Sequence, residues 1–432
     1  MTRRTANSAP TARTLGEFCL VSCPFLFSRP STQQHFNPLD TRHPPQLRST
    51  PADKAILGVA RLVDPSDKYL LLWERAANNP VQFDGEPIAF PGQIWKSSNG
   101  LFNFVGQGFR FQTNDSSLHS WKNMGPMVKL GERSGQWWIP IPNQVDGTPP
   151  PPTGPNIAVN VGNGADFLLG IYDEAAQTFT PWPVNGTEQI NKLEMGSAGW
   201  FGAQGGKDNN NRMMLIGWAM GDYPRVTRLT LLREANWDNA LGGLVANPVP
   251  ELVGLRTENL AHETDVALSA TPHAVAGTDN GAAAAADVVI TFKNFPAVAK
   301  FGACVLTNAT FFGIGIFIEV NNGTATANSG PCTAGLELLS SSIESPARPF
   351  PLLGDAAVTL RILADRSVAD FFVQGGRWAG TSTWPPKEAP RGAGDSSVVV
   401  WAQEGAGTTA DVDVWGMGCG WVDPSYTEHP TM

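Results

Sequence analysis

The segment VTLRILADRSVADFFVQGGRW, residues 358–378, constrains the fold more than any other part of the chain. Apolar residues alternate with polar ones through Val358, Leu360 and Ile362, and the pattern resumes at Val368, Phe371 and Val373. A period near two marks half-buried strands, and Asp365 and Arg366 between the two runs predict a bend. Gly375 and Gly376 close the segment. The rest of the chain suits the same architecture: Gly 45 and Pro 35, with only 16% charged residues, supply turns throughout. No window offers a heptad repeat or an amphipathic helix. The chain therefore reads as all-β, built from sandwich or propeller parts, and 432 residues allow two domains or more.

Charge and composition exclude several partners. A net charge of −9 repels nucleic acid and anionic membrane surfaces. No apolar run reaches the roughly 18 residues needed to span a bilayer. The first fifty residues stand apart, with Arg3, Arg4, Arg13, Arg29, Arg42 and Arg48 scattered among Ser, Thr and Pro. A short apolar patch, FCLVSCPFLF, lies among them, but Glu17 and Pro24 break the continuous core that a signal peptide needs. This stretch is expected to be a disordered or targeting arm. Cys19 and Cys23 have no second Cys or His pair to complete a zinc site, so neither metal nor cofactor is expected. Cys304 and Cys332 could pair in an oxidising compartment, and sequons stand at Asn114, Asn185, Asn308 and Asn322.

Short strands separated by Gly, Asn, Asp and Pro recur from about residue 55 to 256. One antiparallel unit is predicted through residues 90–95, 101–105, 109–113 and 121–127. A second runs through 157–161, 167–172 and 179–182, and a third through 199–203, 212–220 and 228–232. Repeated units of this kind suggest propeller blades. The run TPPPPTGP at 148–155 must be a loop. Residues 249–260 read as a helical connector, the chain from about Asp265 onward as sandwich, and the Ala run at 282–286 as a loop.

Five segments give these patterns a family resemblance. ILADRSVADFFVQGGR resembles the sandwich motif L-R-I-L-V-D-x-S-x-x-E-x-F-x-x-G-G-R of glycoside hydrolase family 32, with Ala364 for Val and Asp370 for Glu. ARLVDPSDKYLLLWERAANNPV, from Ala60, is similar to a propeller segment of that family. RMMLIGWAMGD from Arg212, LTLLREANW from Leu229 and NPVPELVGLR from Asn247 resemble three more, in the family's order. The resemblance implies a five-bladed β-propeller followed by a C-terminal β-sandwich. It divides the chain into an arm (1–54), a propeller (55–260) that is about one blade short, and a sandwich (261–425). It implies hydrolysis of β-fructosyl bonds in sucrose or fructans, a fructose-containing sugar as partner, and an extracellular or vacuolar location.

That chemistry needs a carboxylate nucleophile and a carboxyl general acid, about 5 Å apart in a retaining enzyme. The family holds them in W-M-N-D-P-N-G and W-E-C-P, with a further Asp in R-D-P. No W-M-N-D-P-N-G occurs; HFNPLD, ending at Asp40, lacks its Trp-Met-Asn context. AFPGQIW aligns with R-D-P and places Phe90 where the Asp belongs, after Ala89. WWIP aligns with W-E-C-P and places Trp138 at the general acid. Asp84, Glu86, Glu132 and Asp146 read as solvated loop charges. No family catalytic acid is therefore intact. Trp95, Trp137, Trp138 and Trp200 are the candidate sugar-binding platforms, with ordinary blade core as the alternative for each. Three outcomes stay open: a hydrolase, a fructose-oligomer-binding protein, or a truncated and inactive product.

Overall fold

The computed structural model describes residues 18–22, 57–62, 73–75, 81–84, 93–97, 99–106, 109–126, 138–140, 156–160, 165–173, 178–181, 183–184, 187–188, 191–198, 200–208, 210, 212–220, 227–279, 281–308, 312–332, 349–383 and 397–418. The chain forms two compact units, Met1–Glu132 and Arg133–Met432. The boundary drawn from sequence at 260/261 therefore lies inside the second unit.

In the first unit, β1 (Phe18–Ser22), β2 (Leu57–Leu62) and β3 (Trp73–Arg75) form an antiparallel three-stranded sheet. The expectation that the first fifty residues are irregular is corrected at β1: its apolar patch finds a ladder partner in β2, with Phe18 opposite Arg61. A second sheet runs in the order β4 (Gln82–Phe83), β8 (Ser120–Pro126), β7 (Phe109–Thr113), β6 (Phe102–Gly106), β5 (Gln93–Lys96). The strands predicted there stand within a few residues of their expected bounds. Alternation sends Phe83, Phe104, Phe111 and Trp121 to one face, where they pack with Val81 and Leu118. Asn103, Gln112 and Lys122 fall on the other face, opposite one another across three strands.

The second unit opens with β9 (Trp138–Pro140), β10 (Asn156–Asn160), β11 (Asp166–Asp173) and β12 (Thr178–Pro181), joined antiparallel. A hairpin, β13 (Pro183–Val184) with β14 (Thr187–Glu188), follows, and β15 (Asn191–Lys192) pairs with β11. A further blade-like sheet contains β16 (Trp200–Lys207), β17 (Met213–Met220), β18 (Thr227–Leu229), β19 (Arg233–Asp238) and β20 (Gly243–Pro248). The strand predicted at 228–232 is corrected: β19 starts only at Arg233, and β18 ends at Leu229, just before Thr230. Its hydroxyl accepts from the Gly217 N–H at 3.0 Å while its own N–H donates to the Gly217 carbonyl, so a local bond replaces the regular ladder.

The predicted helical connector is also corrected. A 3-10 turn at Pro250–Leu255 ends where β21 (Arg256–Ala267) begins, so only its first half is helical. Strands β22 (His273–Ala274), β23 (Ala285–Lys293), β24 (Val298–Thr307), β25 (Gly313–Asn321), β26 (Thr324–Cys332), β27 (Phe350–Pro351), β28 (Val358–Asp365), β29 (Val368–Val373), β30 (Trp378–Thr383), β31 (Ser397–Glu404) and β32 (Thr409–Met417) complete the sandwich. One six-stranded sheet runs β21-β32-β23-β28-β29-β30, and the other β22-β31-β24-β25-β26-β27. Ala285 and Ala286 open β23 instead of lying in a loop; small side chains, Ala286 buried and Ala285 half-buried, fit there despite weak strand propensity.

Val288, Ile290, Phe292, Phe301, Ile316, Leu360, Phe371 and Val400 fill the space between the sheets. The sequence read the β28–β29 hairpin as half-buried, yet β29 is buried on both faces. Leu363, Phe372 and Ala379 on its outer side pack against Trp200, Met213, Leu215 and Leu244 of the blade-like sheet. A disulfide joins Cys304 of β24 to Cys332 of β26, passing over Gly315 of the intervening β25. A Cβ on Gly315 would stand 2.8 Å from Cys304 Sγ, so only glycine fits beneath the bridge.

Candidate functional site

On the polar face of the first unit's five-stranded sheet lies an open groove of 690 Å³. It is lined by Gln82, Asp84, Gln112, Asn114, Ser120 and Lys122, with Leu101 and Met124 as apolar wall. Side-chain amides brace its floor: Gln112 Nε2 donates to Asn103 Oδ1 at 3.1 Å, and Asn103 Nδ2 donates to Ser97 Oγ at 3.1 Å. Asp84 ends β4 in the left-handed region (φ 50°) and accepts from the Asn123 N–H at 2.8 Å. It is an exposed turn residue, as the sequence suggested. Trp121 contributes to the wall but is buried, with its Nε1 donating to the Leu118 carbonyl at 2.8 Å.

The second unit contains a buried ionic centre where the blade-like sheet meets the sandwich. Arg233 of β19 is fully buried. Its Nη2 donates to Asp370 Oδ1 at 2.7 Å and Thr381 Oγ1 at 2.8 Å, and forms an ion pair with Glu194 Oε2 at 2.9 Å. Its guanidinium lies 4.4 Å from the centre of the Trp200 ring and 5.0 Å from that of Phe372. Glu194 also accepts from the N–H groups of Thr381 and Gly196, at 2.6 and 2.7 Å. Burial pushes the Glu194 carboxyl above its ordinary range, while Arg233 and these backbone donors pull the other way. Two carboxylates thus come together, but sealed from solvent and bridged by a cation. Asp265 and Asp411 are likewise bridged by Lys293, and Asp208 and Glu251 by Arg212, though at the surface. A retaining pair must face the substrate with no cation between its members. These groupings serve structure.

The comparisons with known proteins decide the relationship. No family model matches the chain. The acid beta-fructofuranosidase of Phaseolus vulgaris is 23% identical over 452 residues, spanning 87% of this chain and 67% of that protein. The protein of the same name from Vigna radiata var. radiata is 24% identical with the same coverage. Among solved structures, fructan 1-exohydrolase IIa from Cichorium intybus aligns with a TM-score of 0.61 at 17% identity, covering 85% of this chain and 80% of its own. Exo-inulinase from Aspergillus awamori aligns at 0.57 and 17%, covering 85% and 75%. The chain is a relative of the family 32 glycoside hydrolases. The structural likeness carries the fold, a β-propeller with a β-sandwich.

Against that family, the sequence-derived positions fall as follows. Phe90 and Trp137 lie outside the described residues, as do Ala89, Asp40, Glu86, Glu132 and Asp146. Trp138 opens β9 opposite Val159, and Trp95 lies in β5 opposite Asn103; the side chains of both are outside the described set. Trp200 is described fully. The residue is 7% exposed, its Nε1 donates to Thr381 Oγ1 at 3.1 Å, and Arg233 covers one face. A Cβ on Gly217 would stand 2.7 Å from the ring, so the sheet occupies what a sugar would need. Trp200 is corrected from sugar platform to core, which was its alternative reading. Sequence reasoning quoted Arg233 and Asp370 in separate motifs and missed their pairing. The signal was present, since both are charges set in apolar strand patterns.

Proposed function

We propose that this family 32 relative does not hydrolyse β-fructosyl bonds. The observation that carries the reading is the occupancy of the motif positions: Phe90 stands where R-D-P has its Asp, and Trp138 where W-E-C-P has its Glu. Neither side chain can hold or transfer a proton, and no segment of the chain reads W-M-N-D-P-N-G. Losing groups that act as a unit removes orders of magnitude of rate, with only binding effects left. The purified chain should release no fructose above background from sucrose, inulin or levan. The double variant Phe90→Asp, Trp138→Glu should stay silent as well, for want of a nucleophile. Turnover by the unaltered chain refutes the reading.

A second reading, retained affinity for fructose oligomers, has support from solved relatives crystallised with 1-kestose and with fructosyl-erythritol. Trp95, Trp137 and Trp138 are its platforms, with Trp200 set aside by its burial. Calorimetry with 1-kestose separates the two. Saturable binding lost in Trp138→Ala favours a binding protein, and its absence favours an inactive relic.

A further inference from the structure

The buried centre around Arg233 has one side left unfilled. Asp370 of β29, 1% exposed, forms part of the wall of a 500 Å³ cavity within the second unit. Its Oδ1 takes the hydrogen bonds from Arg233 and Thr381, and its Oδ2 has no partner among the described residues. A carboxylate can accept about four hydrogen bonds, so this one is under-satisfied where water is scarce. The charge balance points the same way. Two carboxyl groups, Glu194 and Asp370, share one guanidinium. Burial first, and the Asp370 charge with it, push the Glu194 carboxyl upward. Arg256 and Arg361 offer no relief: Asp287 holds both, at 2.8 and 2.7 Å, and neither lines the cavity. The centre is short of one positive charge.

The rest of the cavity is mostly apolar. Leu231, Leu252 and Leu255 of the 3-10 turn, Leu363 of β28 and Met417 of β32 line it. Leu363 stands directly opposite Asp370 in the ladder, so the carboxylate is set into an apolar wall. Backbone bonds fix that wall: the Gly418 N–H donates to the Leu255 carbonyl at 2.8 Å, and the Arg366 N–H to the Ala284 carbonyl at 2.7 Å. Two exposed lining residues, Asp365 and Arg366, carry opposite charges that offset each other. The volume falls within the range of small-molecule sites, and an apolar lining with few polar groups is the form such sites take. None of these residues stands at a catalytic motif position.

We propose that this cavity binds a small apolar amine, with its hydrocarbon body among the leucines and Met417 and its ammonium group on Asp370 Oδ2. An ammonium group has three donors and no acceptor, so it suits a carboxylate oxygen that lacks a donor. The hydrogen bond it makes there is charge-assisted, and the added cation balances the centre. An alcohol of the same shape offers a weaker donor and no charge. A carboxylate of the same shape meets like charge.

The test is calorimetry and thermal shift on the full chain with cyclohexylmethylamine, cyclohexylmethanol, cyclohexanecarboxylate and methylamine, at pH 7 and constant ionic strength. The first should bind saturably and stabilise. The alcohol should be weaker by about tenfold or more, the cost of one charged hydrogen bond. The carboxylate, and methylamine without its apolar body, should give no response. Methionine labelled with ¹³C at the methyl group places the ligand without disturbing the fold: the Met417 resonance should shift saturably, assigned by its loss in Met417→Leu. Val368→Phe, which fills the cavity from its wall, should abolish binding. Asp370→Asn should bind amine and alcohol alike, whereas Asp365→Asn should keep the preference. An alcohol or carboxylate that binds as tightly as the amine overturns the proposal, as does a Met417 resonance that stays still. Unchanged binding in Val368→Phe, or a preference that survives Asp370→Asn and vanishes in Asp365→Asn, overturns it equally. These readouts involve no hydrolysis, so they stand or fall apart from the reading of activity.

Discussion

Replacing Arg233 with Met should expose the energetics of the buried centre. Met fills much of the arginine volume but leaves two carboxylates inside. Asp370 would keep the Thr381 hydroxyl at 2.7 Å, which also reaches Glu194 at 3.3 Å, and Glu194 would keep the N–H groups of Thr381 and Gly196. Losing one partner of a buried ion pair costs about 3–5 kcal/mol. Protonation limits the Glu194 share. Neutralising a carboxyl of ordinary pKa 4.5 at pH 7 costs about 3.4 kcal/mol, at roughly 1.36 kcal/mol per unit. The variant should therefore lose about 3–4 kcal/mol at pH 7, a large fraction of the roughly 5–15 kcal/mol that holds a domain folded. In that variant the folded state binds a proton that the unfolded state releases. Its stability then rises as pH falls, by about 1.4 kcal/mol per unit down to about pH 5, and more steeply if Asp370 also protonates. Urea unfolding across pH 5–8, followed by tryptophan fluorescence, reads both quantities. A loss below about 1 kcal/mol at pH 7, or a loss indifferent to pH, would refute the argument.

Gly376→Ala should destabilise the chain by about 1–3 kcal/mol, since the residue has φ 81° and a Cβ would stand 2.4 Å from the Ala246 carbonyl oxygen; urea midpoints measure it, and an unchanged midpoint contradicts it. Reducing the Cys304–Cys332 bridge, or replacing both residues with Ser, should cost about 3.5 kcal/mol for a sequence separation of 28. Denaturation with and without reductant checks this, and identical curves would count against the bridge.

The sequence made the sandwich legible because its strands must alternate to fill a two-layer core. Leu360, Ile362 and Phe371 carry that pattern openly, and all three are buried there. Three features were hidden by local signals. Residues 249–260 read as a helical connector, yet β21 starts at Arg256, where β32 offers it a ladder. Thr230 looked like mid-strand until Gly217 was seen to capture its hydroxyl. The alanines at 285 and 286 gave no strand signal of their own, and only pairing with β28 and β32 holds them extended. At the candidate site, the missing acids could be read from motif positions alone. The groove could not, because Gln82, Gln112 and Lys122 meet only through cross-strand register.

The bridge over Gly315 also bears on how the sandwich opens. Cys304 and Cys332 sit on strands that are not neighbours, so the bond fastens β24 to β26 with β25 threaded beneath it. Fraying from an edge normally releases strands one at a time, each exchanging its amide protons at its own rate. Here β25 cannot peel away while its flanking strands stay tied across it. Its amides should exchange with deuterium only in openings that disrupt all three strands at once. Cutting the bond would restore stepwise release, with β26 the first of the three to go because it lies nearer the sheet edge formed by the two-residue β27.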